Sequence, residues 1–543
     1  MRYRLTRRYG SLAAAVLVGA AVAAPVAADR FGAAPRPAPV AEAAAIAGLP
    51  EQLDALLTDP RLDGGHAGVV VRRASTGEIV YSRNGDKRFT PASNEKLLTS
   101  TAAVDTLGLS FRFRTSVAFG GVRTGSTVSG NLYLKGTGDP TIQAAGYDDL
   151  AAKVYAAGIR TVMGGVVADD SWFDSVRLGT EWAWDDEPFS YAAQISALTV
   201  AVNDDFDTGV VRVNSGPGAA VGQPAVVTLT PPNSYVTVLN RAVTGAAGSA
   251  RTIAVDRLHG TNTIVVTGSA PLGGAVGSNL RTVEEPARYA GALFRAALIK
   301  RGVTLGKPTS TGVTPGAVTQ VAARDSAPLS QLLTPYLKLS NNGHAEILVK
   351  SVGRKVRNQG TWSAGLQATS TFLTGAGVDA ANLRMVDGAG LSRQDLVTPT
   401  QITALLRSVR SRPWFATWYG ALPIAGNPDR IAGGTLRTRM VNTAAANNVR
   451  AKTGSLTSVS ALSGYVTNKA GEQLVFSILS KDWIGASPKS LEDSIAVTLA
   501  NSGGDTLAAQ RDLARLPKPR LPRNDPSTRV DESALECSWV NAC

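Results

Sequence analysis

Three short motifs, set far apart along the chain, constrain the fold more than any other feature. They are S-N-E-K at residues 93–96, S-N-N at residues 340–342 and K-T-G at residues 452–454. Each motif is common by chance, but together and in this order they form the residue set of a serine acyl-transferase whose base is a lysine. The motifs must meet at one site, so the sequence predicts a catalytic domain assembled from distant segments.

The first motif supplies a nucleophile and a base. On a helix, Ser93 and Lys96 share one face, with their Cβ atoms about 5–6 Å apart. Serine is a poor nucleophile until a base takes its proton, and lysine is a base only when burial or nearby positive charge lowers its pKa. We predict that Ser93 is the nucleophile and Lys96 the base; the alternative is an ordinary helix N-cap with solvated neighbours.

The second motif lies between two helical patterns. The hydroxyl of Ser340 can pass a proton to a leaving amine, and the side chain of Asn342 can hold a substrate amide and the lysine. The alternative is an asparagine-rich turn between helices, because Asn-Asn-Gly is good turn chemistry.

The third motif opens a predicted strand. Lys452 and Thr453 can bind a substrate carboxylate, and Gly454 leaves the strand open to close approach of another backbone. We predict an oxyanion hole formed by the N–H groups of Ser93 and Ser455. The alternative is an ordinary edge strand with an exposed lysine.

Other catalytic classes have little support in the sequence. The chain has three histidines, with no H-E-x-x-H motif and no G-x-S-x-G elbow, so neither a zinc hydrolase nor an α/β-hydrolase is expected. We predict no metal site and no cofactor. The two cysteines, Cys537 and Cys543, could close a small loop in an oxidising compartment.

The N-terminus predicts export. Arginines precede an apolar run and small residues, which is typical of a signal peptide over residues 1–28; an uncleaved anchor helix is the alternative. Residues 29–45 are rich in alanine and proline and predict a linker. The net charge of +13 comes from scattered basic residues, so we expect no nucleic-acid partner, while peripheral membrane or cell-wall association stays open.

The pattern of elements predicts an α/β, multi-domain chain. Residues 46–115 and 321–505 are assigned to the catalytic domain, with helical patterns at 327–337, 345–356, 362–374, 398–408 and 491–501. The intervening stretch is rich in Val, Thr and Gly, with short strand-like runs and a helical pattern at 286–301, so it predicts inserted, mostly β domains. Residues 506–543 are assigned to a flexible tail.

Six segments carry a resemblance to a known family. They are P-A-S-N-E-K-L, G-D-P-T-I, L-S-N-N-G-H-A-E, D-G-A-G-L-S-R, K-T-G-S-L and S-G-Y, at residues 91–97, 138–142, 339–346, 387–393, 452–456 and 463–465. The chain resembles the penicillin-binding protein 4 type of D-Ala-D-Ala carboxypeptidase/endopeptidase, serine peptidase family S13. One departure is Ala389, where the group often has serine.

The resemblance implies a fold and an activity. The fold is a β-lactamase/transpeptidase-like domain, an antiparallel sheet flanked by helices, with inserted domain II (116–190 and 288–320) and domain III (191–287). The implied activity is a serine D-Ala-D-Ala carboxypeptidase, also an endopeptidase, that acts on peptidoglycan stem peptides outside the cytoplasm and is acylated by β-lactam antibiotics. A serine β-lactamase and a non-catalytic wall-binding protein are the alternatives.

The resemblance also points to a side-chain pocket. Stem peptides often carry a diaminopimelate whose free end bears an ammonium and a carboxylate. We predict that Arg393 binds the carboxylate, that Asp186 binds the ammonium, and that Trp184 and Tyr191 form walls. The alternative is that Arg393 pairs with a nearby aspartate, Asp387 or Asp395, and that the tryptophans form a domain interface.

Overall fold

The computed structural model describes residue 46 and residues 48–504 and 506–517. The predicted signal segment (1–28), the linker (29–45) and the end of the tail (518–543) with Cys537 and Cys543 lie outside the described residues. Within the described part, no helix is both long and apolar enough to span a bilayer.

The described chain alternates between helical and strand-rich stretches. The helices are α1 (Leu49–Leu56), α2 (Glu95–Leu107), α3 (Ala144–Ala156), α4 (Pro286–Lys300), α5 (Leu329–Lys338), α6 (Asn342–Arg357), α7 (Trp362–Gly375), α8 (Pro399–Ser408), α9 (Phe415–Gly420), α10 (Arg430–Gly433), α11 (Lys489–Asn501) and α12 (Thr506–Ala514). The strands are β1 (His66–Arg73), β2 (Ile79–Arg83), β3 (Arg114–Phe119), β4 (Arg123–Thr124), β5 (Thr127–Val128), β6 (Leu132–Gly136), β7 (Thr161–Val162), β8 (Val166–Asp169), β9 (Val210–Gly216), β10 (Val226–Thr230), β11 (Thr237–Asn240), β12 (Val243–Gly245), β13 (Ala254–Arg257), β14 (Thr263–Thr267), β15 (Ser269–Pro271), β16 (Gly277–Thr282), β17 (Thr304–Leu305), β18 (Ser310–Thr311), β19 (Thr319–Asp325), β20 (Arg450–Leu456), β21 (Val459–Thr467) and β22 (Gln473–Lys481).

The sheet that carries the third motif has the strand order β2-β1-β22-β21-β20, and its neighbours are all antiparallel. Side chains alternate between its two faces, so that Tyr465 packs with the core of α2 and α5–α8 while Val466 packs with α1 and α11. An antiparallel sheet covered by helices on both faces confirms the predicted α/β class. Because β20 is an edge strand, its outer side has no neighbouring strand and can face the site.

The insertion between α2 and α5 contains two kinds of structure. One part has the sheets β18-β8-β6-β3-β19 and β17-β7-β5-β4, with α3 and α4 packed against each other in a shared core. The other part, β9–β16, is built from short sheets alone. The helix predicted at 286–301 is confirmed as α4, but α3 was not predicted, although Tyr147, Leu150, Ala151 and Val154 follow helical spacing and are buried.

The chain enters and leaves the insertion at one place. Strand β3 pairs antiparallel with β19, with Arg114 opposite Asp325, and the N–H of Ser326 donates to the carbonyl of Phe113 at 2.9 Å. The boundaries expected at residues 116 and 321 therefore fall inside two paired strands of the inserted sheet.

The helical patterns predicted downstream of residue 326 are confirmed as α5–α8 and α11. The start of the segment assigned to the tail is not extended, because residues 506–514 form α12. Asp512 ties this helix to the body by accepting from the N–H of Ala444 at 2.7 Å and from the amide of Asn501 at 3.2 Å.

Candidate active site

The predicted nucleophile lies in the turn before α2. Residues Ala92–Asn94 form one 3-10 turn, and the α-helix begins at Glu95, so Ser93 precedes the helix by two residues. Ala92 has a φ of 46°, a backbone conformation that is costly for a residue with a side chain. Ser93 is 5% exposed, and its hydroxyl is held at the floor of the site rather than on the surface.

Lys96 contacts Ser93 and two fixed acceptors. Its Nζ lies 2.6 Å from Ser93 Oγ, 2.7 Å from Asn342 Oδ1 and 2.9 Å from the carbonyl oxygen of Ala389. The two carbonyl-type oxygens can only accept hydrogen bonds, whereas the serine hydroxyl can also donate. A neutral lysine that donates to both of these oxygens therefore directs its lone pair at the hydroxyl of Ser93.

The orientation of the Asn342 amide is fixed by a second contact. Its Nδ2 donates to the carbonyl of Tyr191 at 2.8 Å, so its Oδ1 faces Lys96. Asn342 is the first residue of α6, whose N-cap Asn341 accepts from the N–H of His344 at 3.2 Å. The helix start therefore places the amide against the lysine.

Ser340 pairs with the lysine of the third motif. Lys452 Nζ donates to Ser340 Oγ at 2.7 Å and to the carbonyl of Thr453 at 2.8 Å, and both Lys452 and Ser340 are fully buried. Ser340 has a φ of 61°, which gives the backbone a sharp turn between α5 and α6. The structure thus brings all three motifs together.

Gly454 allows β20 to press against the nucleophile turn. A Cβ at this position would lie 2.8 Å from the carbonyl oxygen of Pro91 and 3.1 Å from Nδ2 of Asn94. That Nδ2 donates to the carbonyl of Lys452 at 3.1 Å. The backbone that approaches Gly454 closely is therefore that of the turn that carries Ser93. The neighbouring Ser455 Oγ is buried and has no hydrogen-bond partner among the described residues.

A hydroxyl that the motifs did not reveal contacts Thr453. Thr453 Oγ1 lies 2.9 Å from Thr435 Oγ1, in a turn that follows α10. Lys338 fixes the loop that carries this turn, because its Nζ donates to the carbonyls of Leu422 and Ala432 at 2.5 and 2.7 Å. Burial lowers the pKa of Lys338 to about 8. No sequence pattern marks Thr435, which reaches the site through a loop.

Two of the four predicted pocket residues, Tyr191 and Asp186, are joined by hydrogen bonds to Asn342. The hydroxyl of Tyr191 donates to Asp186 Oδ1 at 2.7 Å, while the carbonyl of Tyr191 accepts from Asn342. Burial raises the pKa of Asp186, against the opposing effects of the Tyr191 hydrogen bond and the positive charge of Arg393. Arg393 is exposed and donates to the carbonyl of Thr457 at 3.0 Å.

The two tryptophans of this segment differ. Trp184 is 73% exposed and stacks on His259, with ring centroids 3.8 Å apart and planes 15° apart. Trp182 is partly buried, and its Nε1 donates to Asp387 Oδ2 at 2.9 Å. Trp182 therefore lies at an interface between the insertion and the catalytic domain, as the alternative interpretation expects. Trp184 instead lies at the surface, against the loop between β13 and β14.

Ala389, the departure from the family pattern, contributes a main-chain atom. Its carbonyl contacts Lys96, and its side chain is fully buried. A serine at this position would present the same carbonyl, so the substitution leaves this contact to the base unchanged.

Comparison with known proteins identifies the family. The model of the D-Ala-D-Ala carboxypeptidase 3 (S13) family matches residues 49–502. The chain belongs to this family. It is 47% identical over 506 residues to a D-alanyl-D-alanine carboxypeptidase of an Actinomadura species, an alignment that covers 93% of this chain and 92% of the relative. The resemblance inferred from the motifs is thereby confirmed.

Solved structures of a penicillin-binding protein share the fold. The crystal structure of penicillin-binding protein 4 from Haemophilus influenzae matches with a TM-score of 0.71 and 25% identity, covering 82% of this chain and 97% of that one. A structure of the same protein in complex with a β-lactam matches with a TM-score of 0.66 and 23% identity, covering 82% and 98%. The predicted β-lactamase/transpeptidase-like class is confirmed.

Proposed function

We propose that this member of the S13 family removes the terminal D-alanine from peptidoglycan stem peptides through an acyl-enzyme on Ser93. The observation that carries the proposal is the 2.6 Å contact between Lys96 Nζ and Ser93 Oγ, made while the carbonyl-type oxygens of Asn342 and Ala389 accept from the same amine. This geometry suits a general base that takes the serine proton as the hydroxyl attacks.

Acylation begins with attack of Ser93 on the scissile peptide bond. Ser93 Oγ forms a bond to the carbonyl carbon of the penultimate residue as its proton moves to Lys96. The N–H groups of Ser93 and Ser455 stabilise the oxyanion, where a lost donor costs about 10²–10³-fold in rate. When the C–N bond breaks, the leaving amine of D-alanine takes a proton from the hydroxyl of Ser340, which is paired with Lys452, and the proton held by Lys96 replaces it. Water later hydrolyses the ester and restores Ser93.

The terminal carboxylate of the substrate binds at the third motif. Lys452 supplies a buried positive charge, and the hydroxyls of Thr453 and Ser455 supply donors. The unpartnered Ser455 Oγ supports this assignment, because a buried hydroxyl without a partner is costly until a ligand fills the site. Thr453 donates to Thr435 in the structure, and this bond reverses when Thr453 donates its proton to the carboxylate, so that Thr435 then donates to Thr453.

β-Lactam antibiotics acylate the same serine in this proposal. The strained amide of the lactam replaces the scissile peptide, and its carboxylate replaces that of D-alanine. The complex of the Haemophilus influenzae relative with a β-lactam supports it. A β-lactamase would need a group that activates water for fast deacylation, and the sequence offers no E-x-x-x-N loop in a suitable place.

The side-chain pocket selects the free end of a diaminopimelate. Asp186 binds the ammonium, Arg393 binds the carboxylate, and Tyr191 and Trp184 form the inner and outer walls. The hydrogen bond from Tyr191 to Asp186 and the link from Tyr191 to Asn342 support it, because they join the pocket to the catalytic amide.

The remaining predictions concern location and organisation. Residues 1–28 direct export and are removed, so the enzyme acts on the cell-wall side of the membrane, with peptidoglycan as its partner. Domains II and III flank the site, the former through Asp186 and the latter through Tyr191 and His259. Cleavage of cross-links, an endopeptidase activity, uses the same acyl-enzyme.

One experiment tests the function directly. The protein lacking residues 1–28 is incubated with purified pentapeptide fragments and with cross-linked dimers, and products are identified by mass. Loss of one alanine from the pentapeptide is expected. Rapid turnover of a chromogenic cephalosporin without peptide cleavage would instead establish a β-lactamase, and failure to bind fluorescent penicillin would establish a non-catalytic protein.

A further inference from the structure

A loop without regular structure supplies one of the acceptors of Lys96. We call residues 386–392 the acid-held loop, because its backbone N–H groups donate to carboxylates. The bonds are Val386 to Asp395 Oδ1 at 2.6 Å, Gly388 to Glu346 Oε2 at 2.9 Å, Ala389 to Glu346 Oε1 at 2.8 Å, Gly390 to Asp387 Oδ1 at 2.7 Å and Ser392 to Asp387 Oδ2 at 2.7 Å.

The carbonyl groups of the acid-held loop point the other way, towards α2. The carbonyl of Gly388 accepts from Thr99 Oγ1 at 2.8 Å, and that of Ala389 accepts from Lys96 Nζ at 2.9 Å. Carboxylates on one side and α2 on the other therefore fix the direction of these peptide groups.

Glu346 is linked to Lys96 through a single residue. It accepts from the N–H of Ala389, and the carbonyl of Ala389 accepts from Lys96. Glu346 lies one turn after Asn342 on α6, so both face the same side of the helix. Trp362 Nε1 donates to Glu346 Oε2 at 2.6 Å, the oxygen that also accepts from Gly388, while Oε1 accepts from Ala389. A Cβ at Gly388 would lie 2.4 Å from Val349, so a side chain there would push the loop away from α6.

This arrangement is costly for the fold. Glu346 is fully buried, and among the described residues no salt bridge to it is found. Burial, with the nearby Asp387, raises the pKa of Glu346 to about 8, against three backbone and indole donors that favour the carboxylate. A buried acid is a poor way to hold a loop, since an apolar contact would avoid the desolvation.

We propose that Glu346 is a positioning residue for Lys96. Through the N–H groups of Gly388 and Ala389 it fixes the Ala389 carbonyl as an acceptor, and this directs the lone pair of the amine at Ser93. The inference rests on the proposed function, in which Lys96 is the base.

Other charged or titratable groups lie on the elements that pack around this lysine and around Glu346. They are Glu95 on α2, Tyr336 on α5, Lys350 on α6, Asp387 and Asp395 in and after the acid-held loop, and Lys452 on β20. Burial, followed by Asp387 and Glu346, raises the pKa of Glu95 well above its ordinary value. The role of Glu346 must therefore be separated from that of its acidic neighbours.

The substitution Glu346→Gln makes the separation. Glutamine keeps the shape but has one acceptor oxygen, so its amide N–H₂ must face either the loop or Trp362, both of which donate. Loss of the Ala389 acceptor disfavours the protonated lysine, so the pKa of Lys96 falls. The acid limb of the acylation rate is expected to move to lower pH, by about one unit, while the plateau falls about 10–100-fold.

The measurement is the rate of acylation by a penicillin between pH 5 and 9 for the protein lacking residues 1–28, with thermal unfolding of each variant. The matched control is Glu492→Gln, a buried glutamate on α11 that bonds Ser460 at 2.6 Å and Arg439 at 2.9 Å away from the acid-held loop. It is expected to lower the unfolding temperature without moving the acid limb.

The outcomes are distinct. A Glu346→Gln variant whose rate falls with an unmoved acid limb, as in the control, overturns the inference and leaves a structural role. If Glu346→Gln does not fold, Thr99→Val decides, because it removes only the bond to the Gly388 carbonyl; a smaller shift to lower pH is expected, and an unchanged profile overturns the inference. A wild-type protein that penicillin does not acylate at Ser93 contradicts the proposed function instead.

Discussion

Lys96 and Lys452, at the proposed reaction centre, are fully buried, whereas Trp184, at the outer wall of the proposed side-chain pocket, is 73% exposed. The two regions are joined through Tyr191, whose carbonyl holds the catalytic amide and whose hydroxyl holds Asp186. They nevertheless differ in solvation, since Arg393 on the pocket side is exposed and bonds a loop carbonyl.

The difference in solvation determines how strongly charged groups interact in each region. Charge interactions strengthen several-fold when water is excluded, so a change at the buried centre should cost far more than a similar change in the wet pocket. In the proposed function, the centre therefore supplies reactivity, and the pocket supplies a modest preference among substrates. The following substitutions test this contrast, beginning with the largest expected effect.

Lys96→Arg should nearly abolish acylation. Arginine stays protonated, so it cannot take the proton of Ser93, and the loss expected for a missing general base is about 10²–10⁴-fold. Labelling by a fluorescent penicillin, followed by peptide mapping, measures the effect. Ser93→Ala provides the blank, and a surface change, Lys300→Arg, provides the matched control. An active Lys96→Arg protein would contradict the assignment of the base.

Thr435→Val should weaken substrate binding by about tenfold, because one hydrogen bond that orients the Thr453 hydroxyl is lost at a buried carboxylate site. The expected change is a higher KM at nearly constant kcat for a peptide with a free terminal carboxylate. Thr435→Ser keeps the hydroxyl and should behave as wild type. The same KM increase for a peptide amide would show that Thr435 does not act on the carboxylate.

Arg393→Ala should have a smaller effect, about fivefold in kcat/KM, because its charge is exposed to water. The wild type is expected to prefer a peptide with a free diaminopimelate end over a capped one, and the variant to lose that preference. Acylation by penicillin should stay unchanged. Equal rates of the wild type on both peptides would remove the pocket from the account of specificity.

His344 should affect stability and leave acylation nearly unchanged. Burial lowers its pKa from 6.5 to about 4, so stability is intact above pH 6.5 and is lost as pH falls towards 4, where the unfolded chain binds a proton that the folded chain does not. His344→Gln should flatten this loss in denaturant unfolding at pH 4.5–7. Asp207 acts oppositely, since burial raises its pKa to about 6, so the difference between variant and wild type is the quantity to compare. An unchanged slope would contradict the assignment.

The parts of the site that the sequence predicts are those carried by side chains on regular elements. Ser93, Lys96 and Asn342 sit at helix starts, and Lys452 sits on a strand, so local rules predict their placement. The acceptor at Ala389 is a main-chain atom in a loop, and any residue type there would supply it. Only the folded loop shows which carbonyl faces the lysine.

Long-range contacts explain the other differences. Thr435 contacts Thr453 because Lys338 fixes the loop that carries Thr435. Neither Thr435 nor Lys338 belongs to a motif. Trp184 is predicted as a wall of the pocket, and nothing in the sequence indicates that His259, from a loop between strands far along the chain, covers one face of its ring. Helix α3 was missed although its apolar spacing was present, since the surrounding strand-rich composition suggested β structure.

The meeting of Phe113 and Ser326 has a consequence for how such a chain can be altered. A segment whose two ends lie at hydrogen-bond distance can be gained, lost or exchanged in a single genetic step without displacing α2 or α5. The same place is suited to splicing in a foreign module with adjacent termini. A replacement would have to supply substitutes for the bonds that now join the insertion to the catalytic domain, among them Trp182 to Asp387, Tyr191 to Asn342 and Lys350 to Asp174.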